Sequence, residues 1–330
     1  MKSFRLHNPT ELGAALALLD TPAARSGKTR ALAGGQDLLT ELKEHLVEPD
    51  ELVNLKGLAE LRGLELEAGG ALALGALVTL GQLERHAALR ARHAALVEAA
   101  ESVASAQIRS QATVGGNLNQ RPRCWYYRSE HAPCLKKGGK ECYSYAGMSK
   151  YNAILGGGPS YIVHPSDLAP ALVALDAEAE LVAAKGARRV ALEKYFTLPA
   201  QSDVTRETVL QPGEILARVR VPAPAAGQRS HYLKFREKGS FDFALASVAL
   251  VLVLEGRTIR SARVVLGGVA PVPWRAKAAE AALVGQPAER AVFEKAAAES
   301  VRGAQPLEHN GYKVPLAKGL VVRALEELCA

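Results

Sequence analysis

An α+β protein of two or three domains is what this sequence predicts, and three observations predict it. The 330 residues are 48% hydrophobic and 23% charged, a composition able to bury a core at this length. Segments with period-two alternation and segments with helical spacing follow one another along the chain. The run Pro222-Ala223-Pro224-Ala225-Ala226-Gly227 sets two prolines and a glycine among small residues, which favours extended, unpacked backbone and marks a domain boundary.

Asn8-Pro9-Thr10 can cap a helix carrying Leu12, Leu16 and Leu19 on one face, and residues 30–33 form a short apolar strand broken by Gly34-Gly35. Leu64-Glu65-Leu66-Glu67, Gly69-Gly70 and Ala71-Leu72-Ala73-Leu74 spell a hairpin. Thr79 with Gln82 makes a capping box, and a long Ala-rich helix is expected over about 87–105. From 121 to 158 neither hydrophobic period holds; aromatic, cationic, glycine and cysteine residues dominate, so the segment reads as a loop organised by something other than a core. A strand at 161–163, a helix at 169–175 and a hairpin over 177–192 follow. Beyond the linker, 243–254 and 262–269 read as paired strands, with helices at about 276–284, 288–301 and 316–328.

Charge and cysteine usage narrow the function. Forty-one Lys and Arg against thirty-four Asp and Glu give +7, but apart from one basic cluster at 121–140 the cations are interspersed with acids, so a nucleic-acid face is not indicated. The longest apolar stretch, 243–254, is far short of the roughly 20 residues a membrane-spanning helix needs. The opening MKSFRLHNPTEL lacks the apolar centre of a secretory signal, so a cytoplasmic location is expected, with export only alongside a partner. Of four cysteines, Cys124, Cys134 and Cys142 lie close together and only Cys329 stands apart, which points to a metal site rather than a disulfide framework. No Ser/His/Asp, paired-carboxylate or His-Glu-x-x-His constellation stands out, so no catalytic residue is assigned.

Two glycine elements carry the chemistry. Ala33-Gly34-Gly35-Gln36-Asp37-Leu38 places a glycine pair between strand and helix, where backbone N–H groups can approach a phosphate. Thr113-Val114-Gly115-Gly116-Asn117 adds a second pair with a hydroxyl and an amide beside it. Neither is a G-x-G-x-x-G or P-loop motif, yet together they suit a dinucleotide with two phosphates.

Taken in order with Gln107-Ile108-Arg109-Ser110-Gln111-Ala112, His164-Pro165-Ser166-Asp167-Leu168 and Leu266-Gly267-Gly268-Val269-Ala270-Pro271, these strings resemble the FAD-binding (medium) subunit of the molybdenum hydroxylase, or xanthine dehydrogenase, family over essentially the whole chain. The resemblance implies a two-part FAD-binding domain of the vanillyl-alcohol-oxidase (PCMH) type at 1–222, divided into 1–56 and 57–222, followed by a small α+β domain at 228–330 of the carbon monoxide dehydrogenase flavoprotein type. Carried across by motif, Ala33, Gly34, Gly35, Gln36, Asp37, Leu38, Leu39 and Thr40 together with Thr113, Val114, Gly115, Gly116 and Asn117 would hold FAD. Val103, Asp167, Leu216 and Lys234 match further cofactor contacts.

The segment 121–160 is an insert. It resembles the one in 4-hydroxybenzoyl-CoA reductase and in some bacterial aldehyde oxidoreductases, where four cysteines carry a [4Fe-4S] cluster. Cys124, Cys134 and Cys142 match three ligands, flanked by Arg121, Arg123, Lys136 and Lys137, whose charges suit an anionic cluster, and Ser160 stands where the fourth cysteine is expected. A serine- or water-capped cluster, a three-iron cluster, a vestigial loop, and a zinc site completed by His131 or His164 all remain open. The whole resemblance implies an electron-transfer subunit of a heterotrimer with a molybdopterin-binding large subunit and a [2Fe-2S] small subunit, serving a small-molecule electron acceptor. A stand-alone FAD oxidase and a metal-containing basic binding module are the competing readings, and export with a signal-bearing small subunit is the alternative to the cytoplasm.

Overall fold

The computed structural model describes residues 1–239 and 241–330. Its architecture is α+β, built on three sheets. The first is small and parallel: Arg5–His7 and Thr29–Leu32 flank the central strand Glu51–Asn54. Helix Leu12–Leu19 packs on it through Ala15, Leu16 and Leu19, the face that the leucine spacing marks.

A five-stranded antiparallel sheet follows, in the order Leu64–Leu66, Leu72–Gly75, Ile215–Val221, Glu178–Ala183, Gly186–Ala191. Both hairpins expected from sequence lie in it, and Ile215–Val221 joins them from far along the chain. The 87–105 stretch is not one helix: it divides into Ala87–Arg92 and Ala94–Glu101 at His93, which leaves helical geometry with φ −135° and ψ 55°. The His93 ring is buried and its Nε2 lies 2.7 Å from the Gly70 carbonyl, a tertiary contact that sequence periodicity does not report. The expected capping box at Thr79 and Gln82 is present, opening Leu80–Glu84. Residues 161–163 are not a strand, although Ile162 is buried.

The third sheet is antiparallel, with the order Trp274–Arg275, Thr258–Gly267, Ala246–Glu255, Gln228–Phe235. Its central strands are apolar because helices cover them: Lys277–Leu283, Arg290–Ser300 and Lys313–Cys329 share one core with Val248, Leu250, Val264 and Leu266. The opposite face supplies Ala249, Val251 and Val265 to the core of the five-stranded sheet and its helices. Residues 222–227 join Ile215–Val221 to Gln228–Phe235 without regular structure. No helix among the described residues is long and apolar enough to cross a membrane.

Candidate cofactor cleft and the cysteine insert

Strand Thr29–Leu32 delivers the first glycine element, and the turn between helices Ala106–Gln111 and Val114–Leu118 delivers the second. They touch. A Cβ on Gly34 would sit 2.2 Å from the Gln111 carbonyl oxygen and 3.3 Å from Ala112 Cα, so only glycine lets the two backbones meet. Gly115 is bare for a similar reason, since its Cβ would lie 2.8 Å from that of Ala76. The second glycine of each pair differs. Gly35 has φ +77°, a left-handed backbone that disfavours side chains, and a Cβ on Gly116 would meet only the Thr113 hydroxyl at 3.0 Å. That hydroxyl accepts the Gly116 N–H at 3.1 Å.

Between the elements runs a cleft of about 530 Å³. Ala33, Gly34, Gly35, Gln36, Asp37, Leu38 and Thr40 line one side and Thr113, Gly115, Gly116 and Asn117 another, joined by Val103, Asp167, Leu216 and Lys234. Two residues of the sequence-derived set stay out: Leu39 is exposed, and Val114 is fully buried in the core. The size, the bare backbone and the convergence of both glycine pairs fit an extended dinucleotide.

Asp167 and Lys234 form a buried pair. The Lys234 ammonium donates to Asp167 Oδ2 at 2.7 Å, with both side chains about 5% exposed or less, and the Tyr232 hydroxyl donates to Oδ1 at 2.6 Å. Burial and the adjacent carboxylate hold the Tyr232 hydroxyl well above its ordinary range, so it stays a donor. Lys234 also donates to the Ser102 carbonyl at 3.1 Å, which fixes the strand Gln228–Phe235 beside the Val103 wall. His164, fully buried, is driven down to about 3 by burial and is neutral; its Nδ1 accepts the Ser166 N–H at 3.4 Å. It orients backbone.

The insert is ordered by polar and aromatic contacts. Trp125–Tyr151, Tyr126–Tyr143 and Tyr145–Tyr161 pair with ring centroids 5.4, 5.8 and 5.5 Å apart. Arg121 donates to the Tyr127 hydroxyl at 2.8 Å and to Glu207, whose other oxygen lies 2.9 Å from the buried Lys136 ammonium. Its far end is tied to the C-terminal helix: Lys313 donates to Tyr151 O at 3.0 Å and Gly268 O at 2.8 Å, and burial lowers that lysine to about 7.

The cysteines do not assemble a ligand set. No group of three His, Cys, Asp or Glu side chains converges as a metal site among the described residues. Cys142 Sγ takes the Tyr161 N–H at 3.4 Å and lies 3.1 Å from Ser144 Oγ, Cys124 Sγ lies 3.8 Å from Asn152 Nδ2, and Cys134 is buried beside a 3-10 turn. Ser160 is buried, and Cys329 packs at the end of the C-terminal helix, in its core. The cations expected to flank a cluster are engaged elsewhere: Arg121 and Lys136 with Glu207, Arg123 with Asp37, and Lys137 with the Ser129 carbonyl. As placed among the described residues, the donors do not fit a [4Fe-4S] or zinc centre.

Sequence reasoning missed Arg123, Arg128, Glu214, Ile215 and Phe243 as cleft-lining residues. For the arginines a signal existed, since Asp37 in the glycine element needs partners when buried.

Fold and cleft together define a protein built to hold an extended dinucleotide between two glycine elements. Residues 2–224 match the family described as the FAD binding domain in molybdopterin dehydrogenase, and residues 230–328 match the CO dehydrogenase flavoprotein C-terminal domain. The chain is 37% identical over 333 residues to the aldehyde oxidoreductase FAD-binding subunit PaoB of Escherichia coli, covering 99% of this chain and 98% of that one. It is 28% identical to the carbon monoxide dehydrogenase medium chain of Hydrogenophaga pseudoflava, covering 98% and 96%. Among solved structures it resembles CO dehydrogenase from Oligotropha carboxidovorans, with a TM-score of 0.77 at 27% identity, covering 99% and 98%. The chain therefore belongs to the FAD-binding medium subunits of the molybdenum hydroxylase family, and it is an oxidoreductase subunit.

Proposed function

We propose that this chain is the FAD-carrying electron-transfer subunit of a heterotrimeric molybdenum hydroxylase, with a molybdopterin-binding large subunit and a [2Fe-2S] small subunit as partners. The observation that carries this reading is the single cleft uniting both glycine elements with Asp167 and Lys234. When bound, FAD supplies the exchange between paired electrons of an organic acceptor and single electrons of iron–sulfur centres. The chain's own part is to bind and orient. Gly35 makes the left-handed turn that presents bare backbone to the diphosphate, Gly116 leaves room for it, Val103 and Leu216 provide apolar walls, and the Lys234–Asp167 pair fixes polar groups without exposing a free charge. Residues 1–222 form the cofactor domain and 228–330 the smaller second domain in this reading.

Copurification tests it. The chain should bring down two other polypeptides, and the organic substrate should bleach the flavin absorbance only in that complex. Turnover of an organic substrate with oxygen by the isolated chain would replace this reading with a stand-alone oxidase.

A further inference from the structure

The helix Leu38–Lys43, which continues the first glycine element, is too short to stand alone, and of its side chains only Glu41 and Leu42 are buried. Little apolar packing holds it. Its polar anchors come from the insert. Asp37 does not cap its own helix; its Oδ2 accepts the Arg121 backbone N–H at 2.6 Å, and its Oδ1 takes the Arg128 guanidinium at 2.7 Å and that of Arg123. One turn on, Glu41 Oε1 accepts the Tyr127 hydroxyl at 2.7 Å. Arg123 also lies 4.9 Å from the centroid of the Phe243 ring, which lines the cleft from just before strand Ala246–Glu255. The segment thus reaches both walls.

We propose that residues 121–128 are a clamp on the cofactor cleft, in which Arg121, Arg123, Arg128 and Tyr127 position the first glycine element through Asp37 and Glu41 and so set the rate at which FAD is released. This rests on the FAD reading above. The arginines are positioning residues: they act on the cofactor through Asp37, and the insert thereby becomes part of the FAD site. Charge-assisted hydrogen bonds to a half-buried carboxylate are among the stronger polar contacts, so losing one should be visible in kinetics.

The test is FAD release from the full chain as purified with its subunits, followed by flavin fluorescence after dilution. Arg128→Gln and Asp37→Asn should each speed release about tenfold. The double variant should be no faster than Asp37→Asn alone, because that variant already removes the contact with Arg128. Arg128→Lys, which keeps the charge, should recover part of the loss. Hydrogen exchange on the wild type gives a second readout should the variants fail to fold: added FAD should slow exchange of the Arg121 amide together with residues 38–43. Release within twofold of wild type for both single variants overturns the clamp while leaving the FAD reading intact, as does exchange at Arg121 that ignores FAD. A wild-type preparation that holds no FAD overturns the cofactor reading and the clamp with it.

Discussion

The glycine elements and the insert meet at Asp37, and they are held by different forces. The elements abut through bare backbone, Gly34 against Gln111 and Gly115 against Ala76, where the constraint is volume. The insert has few apolar side chains to bury; Arg121, Lys136, Glu207, Tyr127 and Glu41 form a continuous polar network instead, where the constraint is pairing. A backbone junction fails when an atom is added. A buried ionic network fails when one partner is removed, because the other stays desolvated.

Substitution separates the two kinds of constraint. Arg121→Ala leaves Glu207 and the Tyr127 hydroxyl short of a partner and should cost about 3 kcal/mol in chemical denaturation. Gly34→Ala should cost about 2 kcal/mol and open the cleft, because its Cβ meets backbone 2.2 Å away rather than a movable side chain. If Gly34→Ala proved neutral while Arg121→Ala did not, volume would not be the constraint at the glycine junction.

The seam between helix Ala94–Glu101 and the C-terminal helix offers a pH test. His231 lies 3.0 Å from both Glu98 and Glu327, and the hydrogen bond to Glu98, followed by both carboxylate charges, holds it above its ordinary 6.5 despite partial burial. A raised pKa adds stability that is complete below 6.5 and lost as pH rises through the folded value. His231→Gln should therefore lower the melting temperature at pH 5.5 and change it little at pH 9. The exposed pair Arg290–Glu326 should matter least, with Arg290→Ala costing about 0.5 kcal/mol or less.

Much of the cleft was legible because its constraints are local. Gly34-Gly35 and Gly115-Gly116 announce themselves as pairs, and the motif around Asp167 lies within one short string. The hairpins at 64–74 and 177–192 were legible for the same reason, since period and turn residues are neighbours in sequence. What stayed hidden depends on residues far apart. The strand Ile215–Val221 sits between two hairpins that precede it, and the break at His93 follows from a bond to Gly70. The arginines of the insert were visible as a basic cluster, but their role depends on Asp37 and Glu207, each more than a domain element away. The expectation that they would surround an iron–sulfur cluster finds no support there: the arginines pair with Glu207 and Asp37 instead.

The central claim is that the cleft holds FAD, and flavin content tests it most directly. The subunit, purified with its partners and then denatured, should release one FAD per chain, and Gly35→Ala should release much less while the partners keep their metals. Wild-type protein that releases no flavin, or a Gly35→Ala variant with full flavin content, would contradict the assignment.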